Sequence, residues 1–151
     1  MKKIILIIGI LLGIWISSNA QHNKENVKDI VYQLNGEVTP NKVNILVNYL
    51  ISNSIDSNRI CLLSLSSYNN CDMGADEVFA LVKQNFFTPL IDKNVNVELL
   101  RERQPWLDED FYMLHFVITH TENIEHLTLD INEGYIKNVS YWQENILTFS
   151  D

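Results

Sequence analysis

The sequence predicts a single α+β domain, with N-terminal helices packed on an antiparallel sheet of four or five strands. Three observations predict it. Between Val27 and Phe86 most apolar residues recur at helical spacing, whereas from Val95 onward they alternate or run together as in strands. The 151 residues are 46% hydrophobic and 20% charged, too apolar for a disordered chain and too short for a second core. Helices first and a strand meander after them is the α+β order.

Met1-Lys2-Lys3, the apolar run Ile4 to Ile16 and the small residues of Ser18-Asn19-Ala20 have the three-part form of a secretory signal peptide over residues 1–20. Thirteen apolar residues fall short of the ~20 that a membrane-crossing helix needs. Cleavage near Ala20 is therefore expected, with export to the periplasm or the medium, no stable membrane anchor and a single domain over residues 21–151. Loss of Lys2 and Lys3 leaves 9 basic and 19 acidic residues, a formal charge of −10. So acidic a domain, without a Lys/Arg cluster, argues against nucleic acid and anionic membranes as partners.

Val27, Ile30, Val31 and Leu34 predict a first helix, ended by Asn35-Gly36. Thr39-Pro40 caps a second, whose stripe is Val43, Leu46, Val47, Leu50 and Ile51. Arg59 to Ser67 is a strand, dense in Leu and Ser. Asp76 and Glu77 open a third helix along Val78, Val82 and Phe86, which Pro89 stops. Four strands follow: Val95 to Leu100, Phe111 to His120, His126 to Ile131 and Ile136 to Trp142. A four-residue loop at Thr121 to Ile124 sets Ile118 opposite Leu127, Phe116 opposite Leu129 and Leu114 opposite Ile131, so that one face is wholly apolar. A loop of Asn132 to Tyr135, with Gly134 at positive φ, sets Ile131 opposite Ile136.

This order, with Phe86-Phe87 in the third helix and a meander closing on Leu127-Thr128-Leu129-Asp130-Ile131-Asn132-Glu133-Gly134-Tyr135-Ile136, resembles small exported bacterial proteins of the nuclear-transport-factor-two-like (cystatin-like) fold. The resemblance covers most of the mature chain as a pattern. It implies a curved sheet wrapped on the helices, often a dimer, sometimes with a small-molecule pocket. Enzymatic relatives use Asp, Tyr or His residues in that pocket. None of their motifs aligns with this chain, so no catalytic residue is carried over.

His115, His120 and His126, with Glu122 and Glu125, have the residue types of a zinc site. The register separates them: His120 falls on the apolar face near Glu125, and His126 on the other. No metal and no cofactor is expected, and these are read as solvated hairpin-tip residues. The same register places His115 opposite Asp130, with Lys137 nearby. A carboxylate-oriented imidazole could serve as a general base, so His115 and Asp130 are the candidate catalytic pair, set against an ordinary cross-strand polar ladder. Trp106, Tyr112, Phe116 and Trp142 are candidates for an aromatic ligand-binding wall, set against core packing. The acids Glu98, Glu102, Asp108, Glu109 and Asp110 lack the spacing of a calcium loop. Phe111, Met113 and Val117 would form an apolar patch on the second face of their strand beside Thr128, which predicts a homodimer, set against cover by residues 145–151 or 95–106 of the same chain.

The function expected from these readings is an exported, non-enzymatic binding or accessory domain of the bacterial cell envelope, acting on a small molecule or an envelope protein. The alternatives are an isomerase-like or hydratase-like enzyme using His115 and Asp130, and a structural or inhibitory protein acting through its surface.

Cys61 and Cys71 are the only cysteines. An oxidising compartment favours a disulfide. A strand continuing to Ser67 opposes it, because its six steps of ~3.3 Å outrun the ~14 Å available for the return. The strand reading predicts two free thiols. A strand stopping near Leu65, with Ser66 to Asn70 turning back, would close the bond.

Overall fold

The computed structural model describes residues 24–55, 60–64, 69–104 and 111–145. The expected signal peptide, Trp106 and Asp108 to Asp110 lie outside them, as does the end of the expected strand at 65–67. Helix α1 (24–32) is followed by β1 (Gly36–Glu37), α2 (Pro40–Ser52), β2 (Ile60–Ser64), β3 (Asn69–Met73) and α3 (Ala75–Val82). A π-helical turn at Lys83–Phe87 and a 3-10 turn at Thr88–Leu90 lead into β4 (Asn94–Arg103), β5 (Phe111–Thr119), β6 (Asn123–Asn132) and β7 (Tyr135–Asn145). The strands form one curved, open sheet of seven in the order β1-β4-β5-β6-β7-β2-β3. Every pairing is antiparallel except β2 with β7.

The α+β class and the three helices are as the sequence predicts, but the described residues contain seven strands rather than four or five. The two extra strands escape prediction for different reasons. β1 is two residues long, and β3 is the polar run Asn69-Asn70-Cys71-Asp72-Met73, with no apolar periodicity.

The helices start and stop where their chemistry dictates. Asn35 Oδ1 accepts a 2.6 Å hydrogen bond from the Val97 amide, which ties the end of α1 to β4, and Gly36 turns away at φ 81°. The Thr39 hydroxyl accepts from the Lys42 amide at 3.3 Å and Pro40 occupies the first turn of α2. In α3, the Glu77 carboxylate accepts from the Gly74 amide at 3.3 Å. The π turn carries one extra residue per turn, which lets the consecutive Phe86 and Phe87 both reach the core.

Val31, Leu46, Leu50, Phe79, Val82 and Phe87 meet one face of the sheet, built on Leu114, Phe116, Ile118, Leu127, Leu129 and Val139, in a single apolar cluster. Phe116 has no exposed surface and takes the edge of Tyr32 at a ring distance of 6.1 Å. The sequence places these residues on one face correctly, but the pairing is displaced by two residues: Phe116 lies opposite Leu127 and Leu114 opposite Leu129. The His120 amide donates to the Asn123 carbonyl at 3.1 Å, so the hairpin loop is only Thr121-Glu122. A shift of two preserves the face of every side chain while changing its partner. The second hairpin sets Ile131 opposite Ile136 and gives Gly134 a positive φ as expected, but Asn132 pairs with Tyr135, so its loop is Glu133-Gly134 rather than the four residues from Asn132 to Tyr135.

Cys61 and Cys71 form a disulfide across β2 and β3, with Cα atoms 3.9 Å apart. The expectation of free thiols is therefore corrected. β3 returns along β2 with Leu63 opposite Asn69 and Leu62 opposite Asn70, which brings Cys71 back beside Cys61.

Candidate functional site

β5, β6 and β7 have a second face, turned away from the helices. Because side chains alternate along a strand, the residues that bury Leu114, Phe116, Leu127 and Leu129 necessarily place Met113, His115, Val117, His126, Thr128, Asp130, Ser140 and Trp142 on this outer side. Bulges extend the face at both edges. The β4–β5 pairing slips between Leu99 and Arg101, which leaves Leu100 59% exposed and brings Arg101 opposite His115. The β6–β7 pairing slips beside Lys137 and brings Asn138 opposite Asp130.

At the centre of the outer face His115 Nε2 and His126 Nδ1 are 2.9 Å apart. One of these nitrogens carries the hydrogen and the other accepts it. His126 lies parallel to Trp142, with ring centroids 4.6 Å apart and planes 2° off parallel, while His115 leans on Trp142 at 5.1 Å. His126 Nε2 is buried and has no close hydrogen-bond partner; the Glu144 carboxylate stands 3.5 Å from it. If that nitrogen bears the hydrogen facing Glu144, Nδ1 is the acceptor and His115 Nε2 the donor, which fixes both tautomers. Burial lowers the His115 pKa below the usual imidazole value, and the positive charges of His126 and Arg101 push the same way against a smaller pull from Glu144.

The structure separates the expected catalytic pair. His115 lies opposite Thr128, whereas Asp130 lies opposite Met113 and accepts a 2.9 Å hydrogen bond from the Asn138 amide. Lys137, the residue expected near Asp130, is exposed at the bulge. Burial raises the Asp130 pKa and the Asn138 hydrogen bond partly offsets it. The imidazole that does meet His115 is His126. No sequence motif points to it, although any even shift keeps His115 and His126 on one face.

The expected aromatic wall divides between the two faces. Phe116 is wholly buried among the helices, and Tyr112 is partly buried on the same side with the Lys24 ammonium 4.4 Å above its ring. Trp142 belongs to the outer face. His120 and Glu125 are not solvated hairpin-tip residues: both are buried on the helix side, 3.5 Å apart, and only Glu122 of the expected tip set is exposed. His120 therefore points away from the other two imidazoles, and no group of three or more metal-binding side chains occurs among the described residues. Beyond the sheet, Glu102 accepts ion pairs from Lys24 at 2.6 Å and Lys28 at 2.7 Å, joining β4 to α1.

No protein-family model and no curated protein sequence matches the chain. Solved structures do match its backbone. A nuclear-transport-factor-two-like protein of unknown function from Burkholderia xenovorans aligns with a TM-score of 0.53 at 7% identity, over 86% of this chain and 89% of that one. Another of the same description from Shewanella oneidensis aligns at 0.48 and 12% identity, over 80% and 97% of the two chains. The first similarity establishes the fold as nuclear-transport-factor-two-like, in agreement with the resemblance seen in the sequence. Identities this low carry the fold alone.

Proposed function

We propose that the chain is an exported, non-enzymatic binding or accessory domain of the bacterial cell envelope, acting through the outer face of its sheet. One observation carries the site of action. On the helix side Leu114, Phe116, Ile118, Leu127 and Leu129 have no exposed surface, so the space in which this architecture could hold a ligand is filled with side chains at those positions. The outer face of the same strands keeps Met113, His115, Thr128, Asp130, Ser140 and Trp142 half-exposed.

Aromatic rings beside hydroxyl, amide and carboxyl groups suit a partner of mixed polarity, held by stacking and a few directed hydrogen bonds. A second copy of the chain, seated over Met113 and Val117, is one such partner. Export rests on the expected signal peptide, and the envelope is the compartment it implies. The test is native mass spectrometry of the protein purified from its own host, beside a variant carrying Trp142→Ala and Thr128→Ala. A small molecule, a protein or a second copy retained by the parent and lost by the variant supports the reading. Equal retention by both, or a bare monomer in each, rejects the outer face as the site.

A further inference from the structure

We propose that the His115–His126 pair is a proton-operated switch on the outer face, which holds Trp142 in its stacked position until both imidazoles are charged. The proposal rests on the outer face being the binding site, and it adds how binding there is regulated.

Two imidazole nitrogens 2.9 Å apart are joined by one hydrogen. A neutral pair supplies it. A singly charged pair supplies it as well, since a charged ring still donates to a neutral one. A doubly charged pair has a hydrogen on every ring nitrogen, so the acceptor is gone and two N–H groups meet head-on. The rings must then part. Because His126 lies flat on Trp142 and His115 leans against the same indole, they cannot part without changing what Trp142 touches.

The charged groups on this face among the described residues set the direction. Arg101 and Arg103 stand on β4 beside His115 and Met113, and Glu98 stands opposite Val117. β6 contributes Asp130, bonded to Asn138, and β7 contributes Glu144, 3.5 Å from His126 Nε2. β5 adds no charge besides His115. Burial, then the neighbouring His126 and Arg101, oppose charging His115, and Glu144 pulls more weakly the other way from 3.5 Å off His126 Nε2. The closed state thus belongs to neutral pH and the open state to acid. A partner stacked on the outer face would be held in the first condition and released in the second.

The experiment is a proton-NMR titration of the mature chain from about pH 8 to 4.5, following the ring protons of His115, His126 and Trp142, with His120 as an internal reference. The expected result is ring-to-ring cross-peaks among the three at neutral pH, and their joint loss as the second of the two histidines takes up its proton. His120 keeps its own neighbours through that step. His115→Gln should leave Trp142 stacked on His126 across the whole range, since only one imidazole remains to be charged. Glu144→Gln, at an exposed position, should move the opening to lower pH by removing the carboxylate that favours charge on His115. Intact cross-peaks with both imidazoles charged overturn the switch, as does a transition unchanged in His115→Gln. These readouts need no ligand, so failure of the switch is distinguishable from failure of the outer face to retain a partner.

Discussion

The two faces of β5, β6 and β7 are made by the same thirty residues and have opposite characters. Toward the helices the strands present Leu114, Phe116, Ile118, Leu127, Leu129 and Val139, each without exposed surface. Away from them they present two imidazoles, an indole, a carboxyl group and hydroxyls, most of them half-exposed. The first face is held by area removed from water, which is indifferent to exact partners. The second is held by pairwise geometry, in which a displacement of two residues replaces one neighbour with another. Stability should therefore reside in the first face and chemistry in the second.

The largest expected effect comes from breaking the helix-side face. Phe116→Ala should cost about 3–5 kcal/mol in urea unfolding, from lost burial and the cavity left against Tyr32. Met113→Ala, one strand position from the core residue Leu114 but on the outer side, should cost under about 1.5 kcal/mol. Equal losses would erase the distinction between the faces.

The edge hairpin gives the next effect. Cys61 and Cys71 are 10 positions apart, and opening a loop of that size should cost about 3 kcal/mol on chain-entropy grounds. Replacing both with Ser, or reducing them, should lower the midpoint of unfolding. Intact mass of the unreduced chain should show two hydrogens fewer than the sequence requires.

Acidification sharpens the comparison, because both faces contribute with the same sign. Burial alone would raise the Glu102 pKa, but hydrogen bonds from Lys24 and Lys28 outweigh it and hold it below the usual value. Its stabilisation is present above the ordinary carboxylate pKa and is lost as pH falls through the lower folded value. His115 is held below the ordinary imidazole value, so the folded chain is penalised once pH falls beneath that value. Thermal midpoints should fall in two stages. His115→Gln should flatten the stage between about pH 7 and 5, and Glu102→Gln the one below about pH 4.5. A single stage unaffected by either change would contradict both assignments.

The smallest effect is expected at Asp130. Burial raises its pKa, so the fold disfavours the carboxylate at neutral pH. Asp130→Asn should stabilise the chain by up to about 1 kcal/mol at pH 7, with no gain in acid where the parent is already neutral. A net loss at pH 7 would show that the charged form is needed, as it would be for a bound partner.

These contrasts also explain what the sequence makes legible. Helices α1, α2 and α3 announce themselves through Val27–Leu34, Thr39-Pro40 and Asp76-Glu77, where periodicity and caps agree. The face of each residue in β5 is legible too, because alternation is a property of one strand. Partners are not, since they depend on a loop: Leu127 opposite Phe116 or opposite Ile118 gives an equally apolar face, and only the two-residue turn at Thr121-Glu122 decides. The four-residue loop gives the His115–Asp130 pair, and the two-residue turn gives the His115–His126 pair. Bulges compound the difficulty. Nothing in the run Leu99-Leu100-Arg101 or Ile136-Lys137-Asn138 marks the residue that steps out of line, yet those steps bring Arg101 to His115 and Asn138 to Asp130.

The parallel alignment of β2 with β7 has a consequence for the order in which the chain can assemble. Cys61 through Ser64 take their places beside Asn138 through Tyr141, so one side of β2 waits for a strand that lies nearly eighty positions later. Until then the β2–β3 hairpin is held by its own disulfide and by α3, and closing so long a separation is the slow kind of event in folding. A nascent or truncated chain ending before Tyr135 would leave the hydrogen-bonding edges of both β2 and β6 bare at once. Completion of β7 is then the step that converts two sticky fragments into one sheet, and its residues should be among the last to gain protection during refolding.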